Sequence, residues 1–520
     1  MEHPVLIIGG GMAGLTAAAF VCQAGRKVIL FEKQDKVGGL VNSFEYQGFT
    51  FDGGIRAIEN SGIVRPMLRQ LGLEIPFIKN GVSIGIKDQV IRLKSEDSLA
   101  DYLDLLQSQF PENKTDIETF GQEIQKIMGY MDVLYGIDNP LFLDLKNNPR
   151  YLVQTILPWL LKYLWTMPKI ARLGQPVGEY LQQISKNQAL IDMIAQHFFQ
   201  ATPTFFALSY FSLYLDYQYP NGGTGVLAET LQNFILEHGG EIRRSTEICK
   251  IDPLSQQVLD GSGQIWDYQD LIWCADLKLL YAIVNESELA DANTRQAIAK
   301  QRQTMADKSG GDSILTLYLA VDLNPDYFAS IANPHFFYTP RTTGLTSLQP
   351  VAGSSREEIE AWISDYLDLT TFEISCPAMR DPSLAPPGQT GLIISTLFDY
   401  QLVRKISENG WYESFKEICA RKIIAILDQT IYPGLAGKVI HQIVATPLTL
   451  QRLTGNTDGA ITGWAFTNQE IPAIHSMPKI AQSVLTPIPH VYQAGQWTYS
   501  PSGLPISILT GKLAADQIVK

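Results

Sequence analysis

Cysteine is scarce and scattered. The five thiols, Cys22, Cys249, Cys274, Cys376 and Cys419, include no close pair. That excludes a disulfide framework and a zinc site, and predicts buried or idle thiols in a reducing compartment. The seven histidines show no metal-ligand spacing, so no metal is expected, and His197 and His490 read as core or surface residues as readily as functional ones. Basic excess is also missing. A formal net charge of −13 argues against nucleic acid as a partner. Between the charges of residues 146–172 the chain is too short to span a bilayer, which needs roughly 20 apolar residues, and Met1-Glu2-His3-Pro4 carries no leader pattern. The expectation is a cytoplasmic chain whose fold starts at once.

What is present is glycine in a particular place. Val5 to Ile8 is a short apolar run of the kind that forms a buried parallel strand. Gly9-Gly10-Gly11-Met12-Ala13-Gly14 follows, then the small-residue stretch Leu15 to Cys22, then a second apolar run, Lys27 to Phe31, ending in Glu32. The order is strand, glycine turn, helix, strand, acid. Gly9 permits the tight turn, Gly11 lets backbone approach a pyrophosphate at a helix N-terminus, and Gly14 allows helix to pack closely on strand. Glu32 stands where a carboxylate accepts the hydroxyls of an adenosine ribose. A dinucleotide site is expected, with Met12, Ala13 and Lys33 beside it. At 520 residues the chain also exceeds the size at which single cores usually split, so two domains are expected.

A second glycine turn, Lys36-Val37-Gly38-Gly39, follows the acid, and Gly48-Phe49-Thr50-Phe51-Asp52-Gly53-Gly54 comes next. This arrangement resembles the FAD flavoproteins with two dinucleotide-binding domains, in which the second glycine pair and an F-D-x-G strand meet the flavin side of FAD. Read alone, the latter stretch is equally a hairpin turn. Further blocks narrow the resemblance to the phytoene desaturase, carotenoid isomerase and retinol saturase group: "YPNGGTGVLAETLQNFILEHGGEI" from Tyr219, "DPSLAPPG" from Asp381, "TPLTLQRLTGNTDGAITG" from Thr446 and "VYQAGQWTYSPSGLPISILTGKLAAD" from Val491. The resemblance implies adenine contact near Ile248 and flavin contact at Gly54, Gly495, Gln496, Gly503 and Leu504. Desaturases and isomerases of the group carry Gly-Asp where this chain has Gly495-Gln496.

The fold class implied is α/β: a Rossmann-type FAD-binding domain (1–85, 215–285 and 445–520) interleaved with an α+β substrate domain (86–214 and 286–444) that contains a mixed sheet and a membrane-docking helical region. That region is 146–172. Lys146, Arg150, Lys162, Lys169 and Arg172 flank "YLVQTILPWLLKYLWTMP", in which Pro158 suits a first helical turn. Leu157, Leu160, Leu161, Leu164 and Trp165 then share one face. A basic, tryptophan-bearing amphipathic helix fits a membrane interface; a core helix is the competing reading. The uncharged run Met193 to Leu215 reads as a substrate-tunnel lining or core.

The group implies an enzyme using FAD on the carbon–carbon double bonds of a lipophilic polyene, a carotenoid or retinoid, by desaturation, saturation or cis–trans isomerisation. The expected localisation is cytoplasmic with peripheral membrane contact, and no sequence feature identifies the redox partner. Two other readings share the scaffold: an amine or porphyrinogen oxidase, and a prenyl-binding protein of the GDP-dissociation-inhibitor type. A π-system that spreads charge needs little acid–base help, and no histidine–carboxylate pair is visible in the sequence. If a charged group assists, Arg56 is the candidate, unless it pairs with an acid such as Glu59 or with the FAD.

Overall fold

The computed structural model describes residues 3–143, 149–287, 289–351 and 355–519. Two sheets organise them. The first has five parallel strands, in the order Val491–Gln493, Asp270–Trp273, Val5–Ile8, Val28–Phe31, Glu241–Arg243. Val5–Ile8 lies at its centre and is buried throughout, which is why that run is apolar without alternation. The glycine turn leads into helix Met12–Gln23. Ala17, Ala18 and Ala19 are fully buried there, and such small side chains admit the C-terminal helix Leu504–Val519 alongside it. A Cβ on Gly511 would stand 2.4 Å from the Ala13 carbonyl oxygen.

The second sheet is mixed and has seven strands, ordered Val439–Ala445, Ser313–Val321, Thr390–Phe398, Phe372–Ser375, His335–Thr339, Val82–Ile86, Gln89–Leu93. All its pairings are antiparallel except that of His335–Thr339 with Val82–Ile86. Alternation divides its faces. Leu315, Leu317, Leu319 and Val321 join the core beneath helices Arg356–Leu369 and Tyr412–Gln429, whereas Thr316 and Tyr318 face a cavity. Strand Val82–Ile86 crosses the 85/86 boundary read from the sequence. Ile298 and Met305, from helix Ala292–Ala306, pack with Leu6, Ile8 and Trp273 on the dinucleotide side.

Hairpin Ser43–Tyr46/Phe49–Asp52 joins the two bodies. Its turn residues Gln47 and Gly48 both have left-handed φ, +53° and +84°, the geometry that matches strand twist in a two-residue loop. The F-D-x-G stretch is thus a strand and a hairpin arm at once. At its end Asp52, 1 % exposed, accepts hydrogen bonds from Thr224 N (2.8 Å), Thr224 Oγ1 (2.9 Å), Tyr219 Oη (2.8 Å) and Ser43 Oγ (3.1 Å). The Arg380 guanidinium stacks 4.3 Å from the Tyr219 ring centre and donates to Asn80, Ser375 and the Pro334 carbonyl. This buried network ties the Tyr219 glycine loop to the mixed sheet.

Helices Lys114–Tyr135, Gln188–Ala195 and Thr204–Asp216 close the far side. The uncharged run therefore forms helices of ordinary length. Among the described residues no helix is long and apolar enough to cross a membrane.

Candidate functional site

One cavity of about 1070 Å³ runs between the two bodies. At its glycine end lie Gly9, Gly11, Met12, Ala13, Glu32, Gly38, Gly39, Gly54, Gly495, Gln496, Gly503 and Leu504, twelve of the fifteen cofactor-site residues expected from the sequence. The other three sit elsewhere. Gly14 lies behind the turn, where a Cβ would stand 1.9 Å from the Gly9 carbonyl oxygen, so its work is helix–strand packing. Lys33 turns away and reaches the Arg452 carbonyl at 3.5 Å. Ile248 is buried in the core against Leu6 and Phe31 and does not line the cavity.

The cradle fits a dinucleotide on local grounds. A Cβ on Gly11 would meet nothing within 4 Å, although the residue lines the cavity at the N-cap of helix Met12–Gln23. Space is kept open where unpaired helix-end amides favour an anion. Gly38 N donates to the Gly10 carbonyl at 2.7 Å, closing the second glycine turn over the first. The Glu32 carboxylate accepts from Gly10 N and Gln34 N, both at 2.8 Å. Burial pushes its carboxyl up against the hold of those amides. At the other end Leu504 opens the C-terminal helix. Its amide and that of Ile506 have no intrahelical acceptor in a first turn, and Pro505 carries no amide hydrogen.

Beyond the cradle the cavity becomes aromatic. Phe206, Tyr210, Tyr214 and Phe337 wall it, with Trp159, Tyr163 and Met167 at one end. His197 stands among them, its Nε2 3.1 Å from Tyr214 Oη, and burial pushes it down to about 4, so it is neutral at pH 7. His490, by contrast, is at the surface, 3.5 Å from Asp270.

Arg56 lines the cavity, and among the described residues it forms no ion pair with a carboxylate. Its Nη1 donates to the Asp52 carbonyl at 3.1 Å and to that of Gly54, and its Nη2 to Ser395 Oγ at 3.1 Å. Glu59 faces the cavity independently, 3.9 Å from where a Gly503 Cβ would be. Burial, reinforced by the neighbouring Asp216, pushes its carboxyl up to about 7. The expected lack of a histidine–carboxylate pair is corrected by the structure: His335 Nε2 lies 3.1 Å from Glu373 Oε1. The two are 38 residues apart and meet because Phe337 pairs with Glu373 across adjacent strands, which sets His335 diagonally beside it on the same face. No spacing rule exposes such a pair. The hint available in the sequence is a lone acid between two apolar residues in strand Phe372–Ser375.

The basic greasy segment forms helix Leu157–Ala171, with Pro158 in its first turn; Lys146 lies outside the described residues. Leu161 and Trp165 are 72 % and 73 % exposed, and Val153, Leu157, Leu160 and Leu164 are exposed beside them. A core helix is thereby excluded. The opposite side carries Trp159, Tyr163, Met167 and Ile170 into the cavity wall.

Residues 7–71 match the family model described as an NAD(P)-binding Rossmann-like domain. The whole chain is similar to all-trans-retinol 13,14-reductase of Danio rerio, 22 % identical over 94 % of this chain and 82 % of the relative. It is also similar to a chloroplastic prolycopene isomerase of an Oncidium hybrid, 24 % identical over 88 % and 75 %. Among solved structures, an oxidoreductase of Methanosarcina mazei shares the fold with a TM-score of 0.63, at 14 % identity over 99 % of this chain and 100 % of that one. The resemblance read from the motifs thus extends along nearly the full chain, and the fold is shared with solved structures over its whole length.

Proposed function

We propose that the protein is an FAD-dependent enzyme acting on carbon–carbon double bonds of a lipophilic polyene, by saturation, desaturation or isomerisation. One observation carries the reading: the dinucleotide cradle and an aromatic-walled tunnel are parts of a single cavity. FAD, when bound, supplies a site that takes up or gives a hydride or electron pair. The chain's own residues hold its diphosphate at Gly11, its ribose at Glu32 and its far end against the amides of Leu504 and Ile506. The rings of Phe206, Tyr210, Tyr214 and Phe337 align an extended conjugated chain and exclude water from it.

The reductase and isomerase relatives favour this chemistry over an amine or porphyrinogen oxidase. A cationic amine also finds little attraction at Glu373. The Glu373 carboxylate already faces His335, Arg56 and Arg380, whose influence outweighs burial and holds its carboxyl below the usual range. The open space at Gly11 favours a cofactor-bearing enzyme over a purely prenyl-binding protein.

Membrane contact is part of the same proposal. The exposed ridge of helix Leu157–Ala171 gives the protein a face that lies in a bilayer interface, and its opposite side is cavity wall. A polyene dissolved in lipid then enters past a single helix. The two sheets also support interleaved domains, with the mixed sheet on the substrate side.

The test is the mass of the product. FAD-loaded protein is incubated with carotenoids and retinoids in liposomes, with the flavin oxidised or pre-reduced. A gain or loss of two hydrogens assigns a saturase or desaturase; unchanged mass with a new chromatographic peak assigns an isomerase. Turnover of amines or porphyrinogens with every polyene unchanged refutes the proposal.

A further inference from the structure

On one side the cavity stops at a wall with a second hollow behind it. His197, Tyr214, Phe337 and Thr371 line both the main cavity and a separate chamber of about 20 Å³. The chamber is completed by Ile84, Ile86, Tyr102, Met193 and Thr339. Its volume suits about one water, so the end of a chain does not fit.

The wall is held in place from every direction. Tyr214 belongs to helix Thr204–Asp216 and Phe337 to strand His335–Thr339, and their ring centres lie 5.0 Å apart. Thr371 Oγ1 is 2.7 Å from Thr339 Oγ1 and accepts from Gln196 Nε2 at 3.0 Å. His197 alone of the four lies in the connection between helices Gln188–Ala195 and Thr204–Asp216, and that connection is pinned on both sides of it. Gln196 Nε2 also donates to the Leu369 carbonyl at 3.0 Å, and Gln200 N donates to Asp312 at 2.7 Å. The His197 ring centre is 4.0 Å from that of Phe198 and 5.5 Å from that of Phe337, while its Nε2 meets Tyr214 Oη. The side chain is therefore an uncharged ring with its polar tip engaged, fixed between tunnel and chamber.

We infer that His197 is the end stop of the tunnel: its ring, braced on Tyr214, fixes the longest chain the cavity admits. The inference rests on the polyene reading and adds a length limit to it. A conjugated chain is stiff and does not fold back to fit. A terminus that overreaches the wall pushes on pinned backbone, the situation of an overpacked core, or slides the chain away from the cofactor cradle. Removing the ring joins the chamber to the tunnel without altering a helix or a strand.

The experiment uses the FAD-loaded protein and a ladder of probes, all-trans-retinal and the longer apocarotenals, which keep both ends constant and lengthen the same chain by a few carbons at each step. Binding is read from quenching of tryptophan fluorescence, since Trp159 and Trp497 line the cavity. Wild-type affinity is expected to rise along the ladder as more apolar surface is buried, then to fall at the first member that overreaches the wall. In His197→Ala the fall should move to a longer member, and the first probe rejected by the wild type should bind roughly 10- to 100-fold more tightly, the range set by relief of overpacking. His197→Phe keeps a ring in place and should leave the fall where it was. Affinity that rises to the end of the ladder in the wild-type protein overturns the inference, and this arm needs no variant to fold. A fall that stays put in a His197→Ala protein with wild-type FAD retention overturns it too. A fall displaced by His197→Phe also overturns it, by showing that the hydrogen bond and not the bulk of the ring sets the limit. In each of these cases the polyene reading stands, whereas absence of binding along the whole ladder overturns both.

Discussion

Two glycines three residues apart should fail in opposite ways. Gly11 caps helix Met12–Gln23 with φ −73° and ψ −178°, extended backbone that any residue adopts, and a Cβ there meets nothing within 4 Å. In Gly11→Ala the protein therefore loses little. Alanine is a poorer N-cap than glycine by up to about 1 kcal/mol, while the stiffer unfolded chain returns ~0.4–1 kcal/mol. The net is close to zero, a melting-temperature change of roughly 1 °C for a chain of this size. The new methyl, however, enters the cradle at the point of closest approach to a diphosphate. Losing one or two charge-assisted hydrogen bonds, each worth about 1.5–3 kcal/mol, weakens FAD by roughly 10- to 1000-fold or more. Gly14→Ala differs, because its Cβ would lie 1.9 Å from the Gly9 carbonyl oxygen. Backbone on both sides cannot yield as a side chain does, so the helix must lift from the turn, at the cost of about 1–3 kcal/mol typical of overpacking or more. The assay compares apoprotein melting with flavin retained, by absorbance, after gel filtration. Gly11→Ala should melt like wild type and elute colourless; Gly14→Ala should lose both. A Gly11→Ala protein that retains wild-type flavin affinity refutes the placement of the diphosphate.

Other consequences are equally direct. Leu161→Glu with Trp165→Glu should abolish co-flotation with anionic liposomes while leaving melting unchanged, because both side chains are already exposed in the folded protein. Asp52→Ala strands the four donors that converge on that carboxylate, and should cost about 3–5 kcal/mol in denaturant unfolding. Glu59 titrates at about 7 instead of 4.5 because it is buried, so between those values the folded state binds the extra proton. Its contribution is therefore complete below pH 4.5 and is lost as pH rises to 7, by at most about 3 kcal/mol. Glu59→Gln should remove that downward slope, and a slope unchanged in the variant would show that Glu59 ionises freely.

The cofactor end was legible in the sequence because its chemistry is local. Turn, N-terminus and acid lie within the stretch from Gly9 to Glu32, and each glycine answers to a backbone requirement. Close packing at Gly14 was legible from its place in the motif too, and the 1.9 Å approach of a Cβ there to the Gly9 carbonyl oxygen bears it out. At Ile248 the resemblance implies a backbone contact, and the side chain packs in the core. The substrate end was illegible for a general reason. His335, Glu373, Ser395 and Arg56 come from three strands and a loop, and their meeting depends on strand order and register, which no local pattern encodes. Sequence could show that Phe372–Ser375 carries a lone acid, but not which face it occupies.

Helix Leu157–Ala171 shows how both kinds of information combine. Periodicity identified its apolar stripe, but a stripe has the same pattern whether it packs on a core or on lipid. Tertiary placement rules out the core. Leu161 and Trp165 remain open to solvent, whereas Tyr163 and Met167, offset by two residues, form cavity wall. A helix apolar on both sides in a protein of net charge −13 is costly in water unless each side has an apolar neighbour. Under the proposed reading, the substrate would supply one such neighbour and a bilayer interface the other.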